Sequence, residues 1–181
     1  MQLTILTHET APEASKPILD GIATDLGLVP NMAATIANSP ALLTAFDGLR
    51  RAVGSGELDA TSREVAGLAF GVAVDNRYGV AFHSTVLGRL GVDEAEIERM
   101  RGGEPPHDER LAAAYELARQ IAIGRGVVDD NVVAAAEAAG YSTAEMLEIV
   151  AECTFAGLVG VMDNLAGRVA LDDFLAPQAW A

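Results

Sequence analysis

The chain has 181 residues, half of them hydrophobic, with aromatics at only 5%; that length suits one domain with a sizeable aliphatic core. A formal net charge of −14 argues against nucleic acid and anionic membrane surfaces as partners, because both require a basic patch that releases counterions. The single cysteine, Cys153, rules out an internal disulfide, a CxxC redox pair and a cysteine zinc site. The opening MQLTILTH lacks the basic start and apolar stretch of a secretory signal. The longest apolar runs, Val65–Val74 and Cys153–Met162, are about half the ~20 residues a bilayer span needs. The expectation is a soluble, cytoplasmic protein.

In chain order, almost every segment carries helical signals and none alternates as a strand does. The expected fold class is all-α, a single domain over 1–181. A first helix is predicted over Ala11–Leu26, stopped by Gly27. Pro30 opens a short helix ending near Asn38, and Ser39-Pro40 caps and starts the next, which runs to Val53. Gly54-Ser55-Gly56 is a turn. Thr61 and Glu64 have capping-box spacing and begin a helix to Val74. The next helix runs from Arg77 to Leu90 with Gly91 as its stop, and a short one follows over Asp93–Met100. Gly102-Gly103-Glu104-Pro105-Pro106 is the clearest linker. Beyond it, helices are predicted over Asp108–Gly124, Asp129–Ala139 and Ser142–Gly167. The tail VALDDFLAPQAWA reads as a last turn followed by extended chain.

A faint internal repeat is visible. RLGVDEAEI (Arg89–Ile97) matches AAGYSTAEM (Ala138–Met146) in layout, with Gly91 on Gly140 and Glu96 on Glu145. Either a duplicated helical unit or the ordinary chemistry of a helix–glycine–helix corner accounts for it. The segment VAGLAFGVAV (Val65–Val74) is apolar all round, which marks a helix buried on every side. Gly67 and Gly71, four apart, are expected to let another backbone approach.

Asn76, Gly79, Val80 and His83 fall on one helical face. If this helix and the preceding one form a hairpin, Glu64 and His83 are offset by only about 6 Å along the axis. Long side chains close such a gap, and a buried Glu–His pair is a plausible proton-transfer unit. Two plainer readings stand beside it. Glu64 sits at the third position of a capping box, which is usually structural. A single histidine on an apolar helix is often a core residue with one satisfied hydrogen bond. His8 and His107 have no assigned role, and three scattered histidines make a poor metal site. Cys153, in an apolar helix, reads as an inert small hydrophobe.

The segment SREVAGLAFGVAVDNRYGVAFHSTVLGRLGV resembles the core of the alkylhydroperoxidase D / carboxymuconolactone decarboxylase superfamily. LGLVPNMAATIANSPALLTAF resembles its lead-in helices and AAGYSTAEMLEIVAECTFAGLVGVMDNLAGR its closing helices, so the likeness covers most of residues 20–175, with the motif region at 61–100. The resemblance implies an AhpD-like helical domain with a helix-hairpin core and a homo-oligomer; the residues themselves call for no cofactor or metal. In the peroxidase branch a glutamate precedes Cys-x-x-Cys, and a histidine follows. Laid on this chain, Glu64 and His83 match the glutamate and histidine, while Asn76 and Gly79 stand where the cysteines would be. The dithiol cycle is therefore absent, and Cys153 has no resolving partner. Asn76 is an excellent helix N-cap, and Gly79 is expected to leave room for a water or a substrate group. The decarboxylase branch carries acidic residues where this chain has Tyr78 and Gly79. Three readings follow. One is a divergent, cofactor-free enzyme using Glu64 and His83 on a small molecule such as a cyclic acid or lactone, with Asn76, Arg77, Tyr78 and Gly79 shaping the site and Arg77 available to an anion. The second is a non-catalytic oligomeric ligand-binding protein. The third is residual hydroperoxide reduction through Cys153.

Overall fold

The computed structural model describes Met1 and residues 3–178, and the side chains of 176–178 stand outside that description. Among the described residues the architecture is all-α. The helices are α1 (Lys16–Leu26), α2 (Asn31–Ile36), α3 (Pro40–Gly54), α4 (Ala60–Ala73), α5 (Arg77–Arg89), α6 (Glu94–Arg101), α7 (Glu109–Gly124), α8 (Asp130–Ala138) and α9 (Thr143–Leu165). A short 3-10 helix, Asp173–Gln178, forms part of the predicted tail, whose residues 179–181 lie outside the described ones. No described helix is long and apolar enough to cross a membrane.

Helix starts follow side-chain capping. Ser39, Asp59, Asn76, Asp93, Asp108, Asp129 and Ser142 each accept a hydrogen bond from a first-turn backbone N–H. Two expectations need correcting here. The first helix starts at Lys16, not Ala11. Pro12 and Pro17 hold the chain before it in turns, and Pro17 fits only the first helical turn. The capping box assigned to Thr61 and Glu64 does not form. Asp59 caps α4 through Ser62 N at 2.9 Å, which leaves Glu64 free to turn inward. The reciprocal box is instead at Ser142 and Glu145, opening α9.

Several helix ends share one device. At Gly91, Gly103, Gly140 and Gly167 the backbone is left-handed, and the following N–H reaches back five residues to close the last turn. Gly91 and Gly140 are the two glycines of the apparent repeat. Since Gly103 and Gly167 lie outside it and close in the same way, corner chemistry accounts for that likeness. The α4–α5 corner uses the same closure without glycine. Asp75 adopts φ +54°, and Asn76 N bonds Gly71 O at 2.8 Å.

Helix α4 runs through the middle, packed against α5, α6, α7 and α9. Two apolar clusters form around it. One joins α4 to α6–α8 and the first half of α9, and includes Leu68, Leu87, Tyr115 and Ile149. The other joins α1–α3, the start of α5, the second half of α9 and the tail, and includes Ile22, Leu43, Tyr78 and Met162. Helices α5 and α9 contribute to both, and where they cross α4 the interior turns polar.

Candidate active site

Glu64 on α4 and His83 on α5 meet in that interior. His83 Nδ1 lies 2.8 Å from Glu64 Oε2, with His83 5% and Glu64 4% exposed. A ring nitrogen facing a carboxylate must carry the proton, so the geometry sets Nδ1–H as donor to Glu64. Arg63 Nε and Nη2 hold the other oxygen of Glu64 at 3.2 and 3.1 Å. Burial alone would raise the Glu64 carboxyl, but the hydrogen bond and charge of His83, with Arg63 behind them, hold it below its usual range. Burial likewise disfavours the charged imidazole, yet Glu64 and Glu152 together raise His83 above an ordinary histidine.

The third member of this cluster, Glu152 on α9, is one that sequence reasoning missed. Its Oε1 lies 3.5 Å from His83 Nε2, and the residue is 2% exposed. That oxygen is buried with no hydrogen-bond partner. Burial is the main reason its carboxyl is pushed up to about 7. Gly67 makes the convergence of three helices sterically feasible. A Cβ there would lie 2.3 Å from His83 Cε1 and 2.7 Å from Glu152 Oε1. The close approach expected at Gly67 is therefore by side chains; only at Gly71 does α5 itself come near, with Val80 N 3.6 Å from where a Cβ of residue 71 would sit.

His83 opens on a cavity of about 110 Å³. Its walls are mostly apolar, with Met32, Phe46, Phe82, Phe155, Ala156 and Val159 contributing, and Asn76, Tyr78 and Arg50 at its polar points. Arg50 brings no spare charge, because Nη2 binds both Asp25 and Asp47 at 2.7 Å. Glu64 and Glu152 do not line this cavity. A larger cleft of about 340 Å³ lies beyond Asn76, lined by Gly71, Asp75, Arg77 and Arg168 among others. Among the described residues, no group of three or more metal-ligating side chains is arranged to hold an ion.

Residues 40–120 match the model of the carboxymuconolactone decarboxylase family. The chain superposes on the alkylhydroperoxidase AhpD core of an uncharacterized peroxidase-related protein from Ralstonia eutropha JMP134, with a TM-score of 0.81 and 20% identity, over 96% of this chain and 93% of that one. Residues 40–120 thus carry the carboxymuconolactone decarboxylase family pattern, and the chain has the AhpD-like fold. A peroxidase-related protein from Silicibacter sp. TM1040 also shares the AhpD-like fold, with a TM-score of 0.77 and 15% identity over 96% of this chain and 91% of that one. So does a cysteine variant of the debrominase Bmp8 in complex with 2,3,4-tribromopyrrole, with a TM-score of 0.79 and 18% identity over 98% and 95%. No curated protein matches the sequence.

Within this AhpD-like frame the other motif residues divide. Asn76 is fully buried and caps α5, accepting from Gly79 N at 2.8 Å and donating to Ala156 O at 3.1 Å. Gly79 does not leave the free room expected of it: the Asn76 amide fills the space, 2.2 Å from where a Cβ of residue 79 would sit. Tyr78 lines the His83 cavity, while its hydroxyl donates to Asp172 of the tail. Burial and that carboxylate push its phenol far above the ordinary value. Arg77 is exposed and faces the outer cleft, so the structure does not bring it to the His83 cavity. Cys153 is 2% exposed, and burial, then the Glu152 charge, push its thiol up to about 12. A thiol held neutral in this way is a poor nucleophile.

Proposed function

We propose that this chain is a cofactor-free acid–base enzyme acting on a small, uncharged ring compound in the His83 cavity. The observation that carries the reading is a buried carboxylate–imidazole pair, 2.8 Å apart, whose imidazole alone faces an apolar cavity. Glu64, pinned by Arg63, fixes the tautomer, and His83 takes or gives a proton at Nε2. The cavity, about 110 Å³, is of single-ring scale, given that an apolar cavity of ~150 Å³ admits benzene. Arg50 is neutralised by two aspartates, which favours neutral over anionic ligands and so a lactone or aromatic ring over a ring acid. The tribromopyrrole held by a debrominase of the same fold is a molecule of this size. The dithiol chemistry of the peroxidase branch is replaced here, since Asn76 and Gly79 carry no sulfur.

The test is a ligand-observed NMR screen of 2,3,4-tribromopyrrole, pyrrole, phenol and an unsaturated five-membered lactone, followed by mass spectrometry of bound compounds incubated in D2O. Wild-type protein is expected to bind at least one of them and to catalyse solvent deuterium incorporation or turnover. His83→Gln should still bind that compound but catalyse neither. Binding without any His83-dependent chemistry would favour the second reading, a non-catalytic ligand-binding protein. Absence of binding, or binding that survives filling the cavity with Ala156→Trp, would remove the cavity as the site.

Homo-oligomer formation belongs to the same proposal. Leu147, Val150, Val161 and Leu165 are exposed on α9, at helical spacings of three, eleven and four that keep them on one outward stripe suited to packing against a second copy of the helix.

A further inference from the structure

Glu152 is a buried acid that neither capping nor packing explains. Its Oε1 accepts no hydrogen bond, and a carboxylate left so destabilises the fold relative to a glutamine or leucine of similar size. At 3.5 Å the contact with His83 Nε2 is a charge contact rather than a formed hydrogen bond. It faces the one ring nitrogen that Glu64 leaves free. The glycine at position 67 keeps the space between them open, since a methyl group there would press on His83 Nε2 at 2.5 Å and Glu152 Oε1 at 2.7 Å together. The charged groups facing the ring are Glu64 and Arg63 from α4 and Glu152 from α9, and the Cys153 thiol beside Glu152 stays neutral.

We infer that Glu152 is a positioning residue of this site, which stores the proton that His83 exchanges with the molecule in the cavity. The inference rests on the acid–base reading given above. When the imidazole acts as base, the Nε2 lone pair takes a proton from a C–H or O–H group, and the bonding electrons stay on that molecule. The proton then passes from Nε2 to Oε1, which leaves a neutral ring and a carboxylic acid. On the return step the acid gives the proton back through Nε2 to the product, so nothing is oxidised or reduced and no co-reactant is consumed. Glu64 does not compete for this proton, because Arg63 holds its second oxygen and Nδ1–H already fills the first.

The test is an NMR titration of the His83 ring and the glutamate side-chain carboxyls in labelled wild type and Glu152→Gln, between about pH 5 and 9. In wild type the Glu152 carboxyl should lose its proton near neutrality, with a matching step in the His83 signals. In Glu152→Gln the His83 midpoint should fall by roughly one pH unit or more, because an opposing charge a few ångströms away has gone. An unmoved midpoint overturns the proposal. Should the variant fail to fold, the wild-type titration decides alone: a Glu152 carboxyl ionised across the whole range also overturns it. Neither readout needs a substrate, so the coupling can hold while the ligand screen fails, and the reverse.

Discussion

The amide of Asn76 occupies the space a side chain at position 79 would need, with Nδ2 2.2 Å and Cγ 2.8 Å from a Cβ placed there. The two residues therefore behave as a pair. Gly79→Ala alone forces the buried amide aside and should cost about 1–3 kcal/mol. Asn76→Ala alone removes a cap and strips a partner from the Ala156 carbonyl, at about 1–2 kcal/mol. In the double variant the new methyl group enters the vacated space, so the combined cost should fall short of the sum by at least about 1 kcal/mol. Urea unfolding of the four proteins measures this, and strict additivity would refute the pairing. The convergence of Glu64 and His83 was legible in the sequence, because hairpin geometry and helical spacing limit where two long side chains on adjacent helices can go. Glu152 was not. Glu145, Glu148 and Glu152 follow one another at helical spacing and look like a single solvated acidic stripe. Only the tertiary position of α9 separates them: Glu145 closes its capping box, Glu148 accepts from Glu57 N and Leu58 N, and Glu152 turns inward. The fate of the Asn76 amide was illegible for the same reason, since it depends on a carbonyl eighty residues away.

At the level of elements, the corner between α4 and α5 is held from outside. Asp75 takes a left-handed conformation that is disfavoured for residues other than glycine, though aspartate tolerates it better than most. Arg168, at the end of α9, donates to the Asp75 carbonyl at 2.7 Å and to its carboxylate. The same guanidinium reaches Asp163 Oδ2 at 3.0 Å, and that buried carboxylate also accepts from Val169 N and Tyr78 N. Arg168→Ala leaves Asp163 buried with backbone donors only. Because the arginine side chain is 35% exposed, solvent screening reduces the penalty, and a loss of about 1–2 kcal/mol is expected rather than that of a fully buried pair. Hydrogen exchange at the Asn76 and Tyr78 amides should quicken in this variant. Unchanged protection there would show that the corner holds itself. The order of the helices and most of their boundaries were readable from glycine stops and caps. The start of α1 and the cap of α4 were not, because several acceptors compete for the same first-turn amides and only the folded chain selects one.

At the scale of the whole molecule, the polar cluster sits where two apolar bodies meet, and α9 belongs to both while also presenting its own outer stripe. Leu147 and Val161 are each more than half exposed, at 63% and 64%, and placing both against a second copy would remove them from water. Val161→Glu should therefore lower the sedimenting mass at micromolar concentration without altering the circular dichroism of the fold. An unchanged mass would mean that association, if present, uses another face. Such an assembly was expected from the family resemblance, whereas no periodicity in the sequence distinguished this stripe from the buried sides of the same helix.

Asn76 borders both hollow spaces of the protein, the inner one at His83 and the outer cleft at Asp75, Arg77 and Arg168. Its side chain is therefore part of the boundary of each. A shorter residue there would alter the shape of both at once, so a substitution made to probe the imidazole would also be felt in the outer cleft.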